Sequence, residues 1–277
     1  MKTLYAADLD GTLLLPGAVL SPFSKSALSS LTASGVLFTA ATARTPATVV
    51  NILDGTGVNA PAVMMNGVLL YDLAKKNILS AETLSEETER HILACAEAHP
   101  VVSMVYTLDN GGLLVFYRPD GSELVSGFVE ARNKTPYKKW RAVKTYSEVK
   151  NRRAIYLAAI GSREKLSALA EDVKKDTSLK TVLYREVNYR DVWVFEAFSA
   201  NASKGKAIRK SAGLAGADRV VAFGDNLNDI PLFDGADVRV AVENAVPELI
   251  SRADFVCPPN TCDGVVRWIS EDLGISF

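Results

Sequence analysis

The sequence predicts an α/β protein: a parallel sheet with helical crossovers, into which a separate α+β unit is inserted. Three observations carry this. Apolar runs of strand length alternate with helical stretches over residues 1–80, and the same alternation returns after residue 203. Between them, from about residue 83 to 190, the strand-like runs are amphipathic and come in pairs. Parallel strands cannot be joined by tight turns, so helices placed between strands imply a parallel sheet.

Taken in order, Leu4 to Ala7 is a short apolar strand and Ser24 to Ala33 a helix. Gly35 to Ala40 is a second apolar strand. Pro46 presets the dihedral of a first helical turn, with Thr45 as its cap, and opens a helix over Ala47 to Leu53. Pro61 to Met65 is a third strand, stopped by Asn66-Gly67. In the middle segment, helices are expected at Glu86 to Ala98 and Arg163 to Lys175. Strands at Val101 to Leu108 and Leu113 to Tyr117 would be joined by the turn Asp109-Asn110-Gly111-Gly112. The late segment offers a helix at Ser203 to Ala212 and strands at Arg219 to Phe223, Val238 to Val242 and Phe255 to Cys257. This divides the chain into a core of residues 1–82 and 198–277 and an inserted unit of residues 83–197.

At 277 residues, 48% hydrophobic and 23% charged, the chain has the composition of an ordinary soluble globular protein with a core of good size. Lys+Arg at 31 against Asp+Glu at 32 leaves a net charge of -1, so no global field recruits nucleic acid or an acidic membrane. Any anionic substrate must be caught locally. Cys95, Cys257 and Cys262 form no CxxC pair, and His91 and His99 stand on one stretch, so neither a zinc site nor a disulfide framework is readable. Free buried thiols are expected, as in a reducing compartment. The chain has no basic N-terminal segment followed by a long apolar stretch and no apolar run of bilayer length, which points to the cytoplasm.

Ligands of open parallel sheets bind at the carboxyl ends of strands. The first strand ends in Asp8-Leu9-Asp10-Gly11-Thr12. By the period-two alternation of a strand, Asp8 and Asp10 would share a face, and two carboxylates so close repel unless a cation sits between them or one is protonated. The second strand ends in Ala41-Thr42-Ala43-Arg44, which offers a hydroxyl and backbone N–H groups to an anion. The strand at 219–223 ends in Gly224-Asp225-Asn226-Leu227-Asn228-Asp229, a second acidic cluster. Asp8 and Asp225 supply the hard oxygens that Mg²⁺ prefers. Lys204 stands in the first turn of a helix, where it opposes the helix dipole unless an anion or carboxylate answers it. The stretch Lys138-Lys139-Trp140-Arg141 reads as a solvated face.

These motifs, in this order, resemble the haloacid dehalogenase-like phosphatases, and within them the Cof-like group with a large α/β cap (class IIB). The resemblance spans nearly the whole chain and implies a Rossmann-like core with an inserted cap that selects substrate. It implies a Mg²⁺-dependent phosphatase acting on a small phosphorylated metabolite, such as a sugar phosphate, through an aspartyl-phosphate. Asp8 would be the nucleophile and Asp10 the general acid and base; the Asp8 carboxylate, the Asp10 carbonyl and the Asp225 carboxylate would hold the metal. Thr42, Lys204, Asn228 and the backbone at Leu9 and Ala43 would hold phosphate, and Asp229 would position Lys204 or assist the metal shell. Ala43 stands where the family usually has glycine. Tyr189, Arg190 and Trp193 are candidate contacts to the leaving group, although aromatics at strand spacing more often pack. The expected partner is a small phosphate ester, with no nucleic acid or membrane, in a monomer or weak homodimer. A phosphomutase or phosphotransferase, or a non-catalytic binding homologue, is the alternative reading.

Overall fold

The computed structural model describes residues 1–275 apart from 111, 133–134, 151 and 186–190. The chain forms two compact units, one of Met1–Ser80 with Ala202–Phe277 and one of Ala81–Asn201. The first begins with β1 (Thr3–Ala7), α1 (Pro22–Ala33), β2 (Leu37–Ala40), α2 (Pro46–Ile52), β3 (Ala62–Met64), β4 (Leu69–Asp72) and β5 (Asn77–Ala81). The inserted unit follows as α3 (Glu86–Ala98), β6 (Val102–Asp109), β7 (Gly112–Tyr117), α4 (Glu123–Arg132), β8 (Lys138–Ala142), β9 (Ala154–Gly161), α5 (Arg163–Val173), β10 (Leu179–Arg185) and β11 (Trp193–Ser199). The first unit is completed by α6 (Lys204–Ala215), β12 (Arg219–Gly224), α7 (Ile230–Asp234), β13 (Val238–Val242), α8 (Pro247–Ile250), β14 (Phe255–Cys257) and α9 (Gly264–Leu273).

The core sheet is five-stranded, in the order β14-β13-β12-β1-β2, and every pairing is parallel. β1 lies inside it, and Leu4, Tyr5, Ala6 and Ala7 are all buried. Burial on both faces explains the continuous apolar run that marks this strand in the sequence. The third expected strand behaves differently. It shortens to Ala62–Met64 and belongs to a three-stranded sheet with β4, to which it pairs antiparallel, and β5. It meets the end of β2 only through a single parallel bridge, Ala41 to Val63. Thr45 does cap α2, but by backbone position alone, because its side chain accepts no cap hydrogen bond.

The turn after β3 positions the site. Gly67 has φ +95°, and a Cβ there would stand 2.4 Å from the Ser203 carbonyl carbon and 2.8 Å from the Lys204 nitrogen. Only glycine lets this turn lie against the start of α6. Gly67→Ala is expected to destabilise the protein by about 2–4 kcal/mol in urea denaturation, from backbone strain added to overlap. Wild-type stability in that variant would refute the close approach.

In the inserted unit the six-stranded sheet runs β10-β11-β9-β6-β7-β8. The expected hairpin is present, with β6 and β7 antiparallel from Met104–Tyr117 to Asp109–Gly112, although Gly111 of its turn lies outside the described residues. β7 and β8 pair in parallel, with α4 between them in sequence. A core of Ile92, Ala96, Leu157, Leu166, Leu169 and Phe195 joins α3 and α5 to this sheet. The expected solvated face at 138–141 is only half so. Lys139 and Arg141 are exposed, but Lys138 is buried with its Nζ 5.1 Å from the Trp140 ring centroid. Of the cysteines, Cys95 and Cys257 are buried as free thiols, while Cys262 is free but exposed, because it ends a one-turn surface segment. No helix among the described residues is long and apolar enough to cross a membrane.

Candidate active site

β1 ends at Ala7, and the next residue is still held to the sheet, since the Asp8 N–H donates to the Phe223 carbonyl of β12 at 3.0 Å. The chain then curls. The Leu9 carbonyl collects the N–H groups of Thr12, Leu13 and Leu14 at 3.3, 3.1 and 2.9 Å. Gly11 takes φ +79°, and a Cβ there would meet an Asp225 carboxylate oxygen at 2.4 Å. The loop therefore closes directly on the end of β12. Thr12 Oγ1 donates to Asp225 Oδ1 at 2.8 Å, and Asn244 Nδ2 donates to the Gly11 carbonyl at 2.8 Å.

Lys204 opens α6 behind its cap Ser203, whose hydroxyl accepts from the Gly205 N–H at 3.2 Å. Its side chain is 1% exposed, and Nζ donates to Asp8 Oδ1 at 2.6 Å and to Asp229 Oδ1 at 2.7 Å. The carboxylate answer that a lysine in a first helical turn needs is thus present twice. The other Asp229 oxygen accepts from the N–H groups of Asp225 and Asn226 at 3.1 and 3.2 Å. Both oxygens of Asp229 are engaged by protein donors, which suits a spacer that holds Lys204 and the Asp225 loop.

Asp8, Asp225 and Asp229 each bring an oxygen within 4.8 Å of the others. Three carboxylates then face one ammonium. Burial, reinforced by Asp229 and only partly opposed by Lys204, pushes the Asp8 carboxyl well above its ordinary range. Burial likewise lifts Asp225 to about 6, with the Thr12 hydrogen bond opposing and Asp229 adding to the rise. For Lys204 burial works against the charge, but Asp229 and Asp8 outweigh it and strengthen the hold on its proton. An all-oxygen cluster with surplus negative charge suits a hard divalent cation, and Asp8 and Asp225 are the members with oxygens left to offer it.

The expected shared face for Asp8 and Asp10 is not realised, because the strand ends before them. Asp8 turns inward to Lys204, while Asp10 turns outward to Arg44, whose Nε and Nη2 each donate to one of its oxygens at 2.6 Å. Each acid has its own cation. Thr42 is buried, and its Oγ1 accepts from the Arg44 N–H at 3.1 Å, leaving the hydroxyl proton available. Ala43 is exposed and is not among the positive-φ residues, so alanine is accommodated without strain where glycine was the expected type. Among the described residues, the N–H groups of Leu9 and Ala43 have no protein acceptor. Asn228 is exposed on the one-turn segment Leu227–Asp229.

Of the leaving-group candidates, Tyr189 and Arg190 lie outside the described residues. Trp193 packs against the helix-side core of the inserted unit, with the Arg163 guanidinium 5.0 Å from its ring centroid. Three contributors went unassigned in the sequence. Thr12 lies inside the first motif and could have been found there. The Arg44 pairing and the Asn244 contact join residues 34 and 233 positions apart, and no local signal announces either.

A buried carboxylate cluster at the carboxyl ends of a parallel sheet defines an α/β enzyme with an acidic site. The family model for haloacid dehalogenase-like hydrolases matches residues 5–269, and the chain belongs to that family. It is 27% identical over 98% of both chains to the pyridoxal phosphate phosphatase of Escherichia coli. It is 26% identical over 97% of both chains to the 5-amino-6-(5-phospho-D-ribitylamino)uracil phosphatase of Bacillus subtilis. A Thermotoga maritima crystal structure shares the fold at TM-score 0.79 and 23% identity, covering 100% of this chain and 98% of that one.

Proposed function

We propose that the chain is a Mg²⁺-dependent phosphatase that hydrolyses a small phosphomonoester through an aspartyl-phosphate on Asp8. The observation that carries this is the buried bridge from Asp8 through Lys204 to Asp229, with Asp225 beside it. A carboxylate nucleophile must approach a dianionic ester, and positive charge and N–H donors must offset the repulsion. Mg²⁺ held by Asp8, Asp225 and the Asp10 carbonyl would supply charge and orient the phosphoryl group. Lys204, Thr42, Asn228 and the open N–H groups of Leu9 and Ala43 would hold its oxygens.

In the first step an Asp8 oxygen bonds to phosphorus as the bond to the alcohol oxygen breaks, and Asp10 gives that oxygen a proton. In the second, Asp10 takes a proton from water, whose oxygen attacks phosphorus; phosphate leaves and Asp8 is restored. The two relatives are named for different phosphomonoesters, so the leaving group is a separate matter, which we assign to the inserted unit. The test is a panel of sugar phosphates, nucleotides, flavin mononucleotide and pyridoxal phosphate, assayed for inorganic phosphate with and without Mg²⁺. Release of phosphate in step with substrate loss, only with Mg²⁺, supports the reading; no turnover of any ester refutes it.

The lifted Asp225 gives a second check. A carboxyl whose folded value is raised favours the folded state at low pH, and that contribution is lost as pH rises from about 4 to 6. Mg²⁺ competes with the proton and restores stability where the carboxylate is ionised. Millimolar Mg²⁺ is therefore expected to raise the melting temperature by about 3 °C at pH 7.5 and by under about 1 °C at pH 5. An equal rise at both pH values would place the cation elsewhere.

A further inference from the structure

Arg44 takes no part in the steps above, yet it makes the closest contacts at the rim of the site. Its Nε and Nη2 grip the two Asp10 oxygens at 2.6 Å each, the planar fork matching a carboxylate with two parallel bonds. The grip is anchored from behind. The Arg44 N–H donates to Thr42 Oγ1, and its carbonyl accepts from the Met65 N–H, both at 3.1 Å. The Arg44 side chain is 24% exposed, whereas the Asp10 side chain is 54% exposed. Among the described residues Arg44 is the one partner of the Asp10 carboxylate.

We infer that Arg44 is a positioning residue for Asp10, its fork fixing the direction in which that carboxylate meets the leaving alcohol and the attacking water. The inference rests on the phosphatase reading. An exposed aspartate samples several rotamers, and proton transfer needs one of its oxygens within hydrogen-bond reach of the reacting oxygen. A fork on both oxygens selects one rotamer. Release of one oxygen while the other stays held lets the group turn toward the reacting atom without leaving its place. Lysine offers a point charge without the fork and cannot impose that plane.

The test compares Arg44→Met, Arg44→Lys, Asp10→Asn and the double variant, using glucose 6-phosphate and p-nitrophenyl phosphate with Mg²⁺. Arg44→Met should lower kcat for glucose 6-phosphate about 30-fold with KM within about 3-fold, and Arg44→Lys should not restore it. The nitrophenolate burst should change less than about 3-fold, since that leaving group needs little protonation. In the Asp10→Asn background the Arg44→Met change should add less than about 2-fold. Full additivity, or a raised KM with kcat unchanged, would mean that Arg44 acts on phosphate by itself and would overturn the inference. If wild type turns over neither ester, the phosphatase reading is judged by the wider panel of esters, and a crystal structure of Arg44→Met decides this point alone. An Asp10 carboxylate that keeps its direction without Arg44 overturns it, and one that loses its direction supports it.

Discussion

Replacing Asp8 with asparagine is expected to lower phosphate release at least about 10⁴-fold while leaving the fold intact. Asparagine keeps the shape and can still accept from Lys204 Nζ through its amide oxygen, but it cannot attack phosphorus. Lys204 retains its second partner, Asp229, at 2.7 Å. The substitution also removes one of three crowded carboxylates, and burial holds the Asp8 carboxyl well above its usual range. The metal-free variant should therefore melt at the wild-type temperature or above it. Phosphate release and a thermal melt together check this: undiminished release would end the nucleophile assignment, whatever the melt showed.

Lys204→Met should act in the opposite sense on stability. The ammonium lies wholly buried between Asp8 and Asp229, and removing one partner of a buried ionic cluster leaves the others uncompensated. A loss of about 3–5 kcal/mol is expected, a fall of roughly 10 °C in melting temperature for a chain this long. The sign of its pH dependence follows from the same acids. Without Lys204, Asp8 rises further above its ordinary value, so the folded state is favoured while the group is protonated and loses that support as pH increases. Urea denaturation of the metal-free variant should show a larger deficit at pH 8 than at pH 5. Stability equal to wild type at both would show that the acids do not need the ammonium.

What the sequence made legible, and what it hid, follows from the range over which each signal acts. The parallel core was readable because strands buried on both faces, such as Leu4 to Ala7, are continuous apolar runs. α3 was readable to the residue, from Glu86 to Ala98, because Ser85 caps it and its burial is periodic. The short β3 was misjudged in its sheet, since a three-residue strand carries no information about which neighbour it pairs with. At the site, the motif residues left Lys204 to be answered by a bound anion or by a carboxylate, and in the structure it lies between Asp8 and Asp229. The separation of Asp8 from Asp10 was hidden. It depends on β1 stopping at Ala7 and on a cation delivered from Arg44, a tertiary fact that strand alternation cannot express.

The discontinuity of the core sheet has a consequence for the order of events during synthesis. β1 pairs on one side with β2 and on the other with β12, in a register that joins Thr3 to Arg219 and Ala7 to Phe223. Closing a loop of that length costs more entropy than closing any contact inside the inserted unit. During synthesis β1 therefore waits for β12, which is made after the whole intervening unit, while Ala81–Asn201, contiguous in sequence, has all its partners sooner. Asp8 and its partners Lys204 and Asp229 come from opposite ends of that wait, so acidic chemistry can assemble only after the intervening unit has been made.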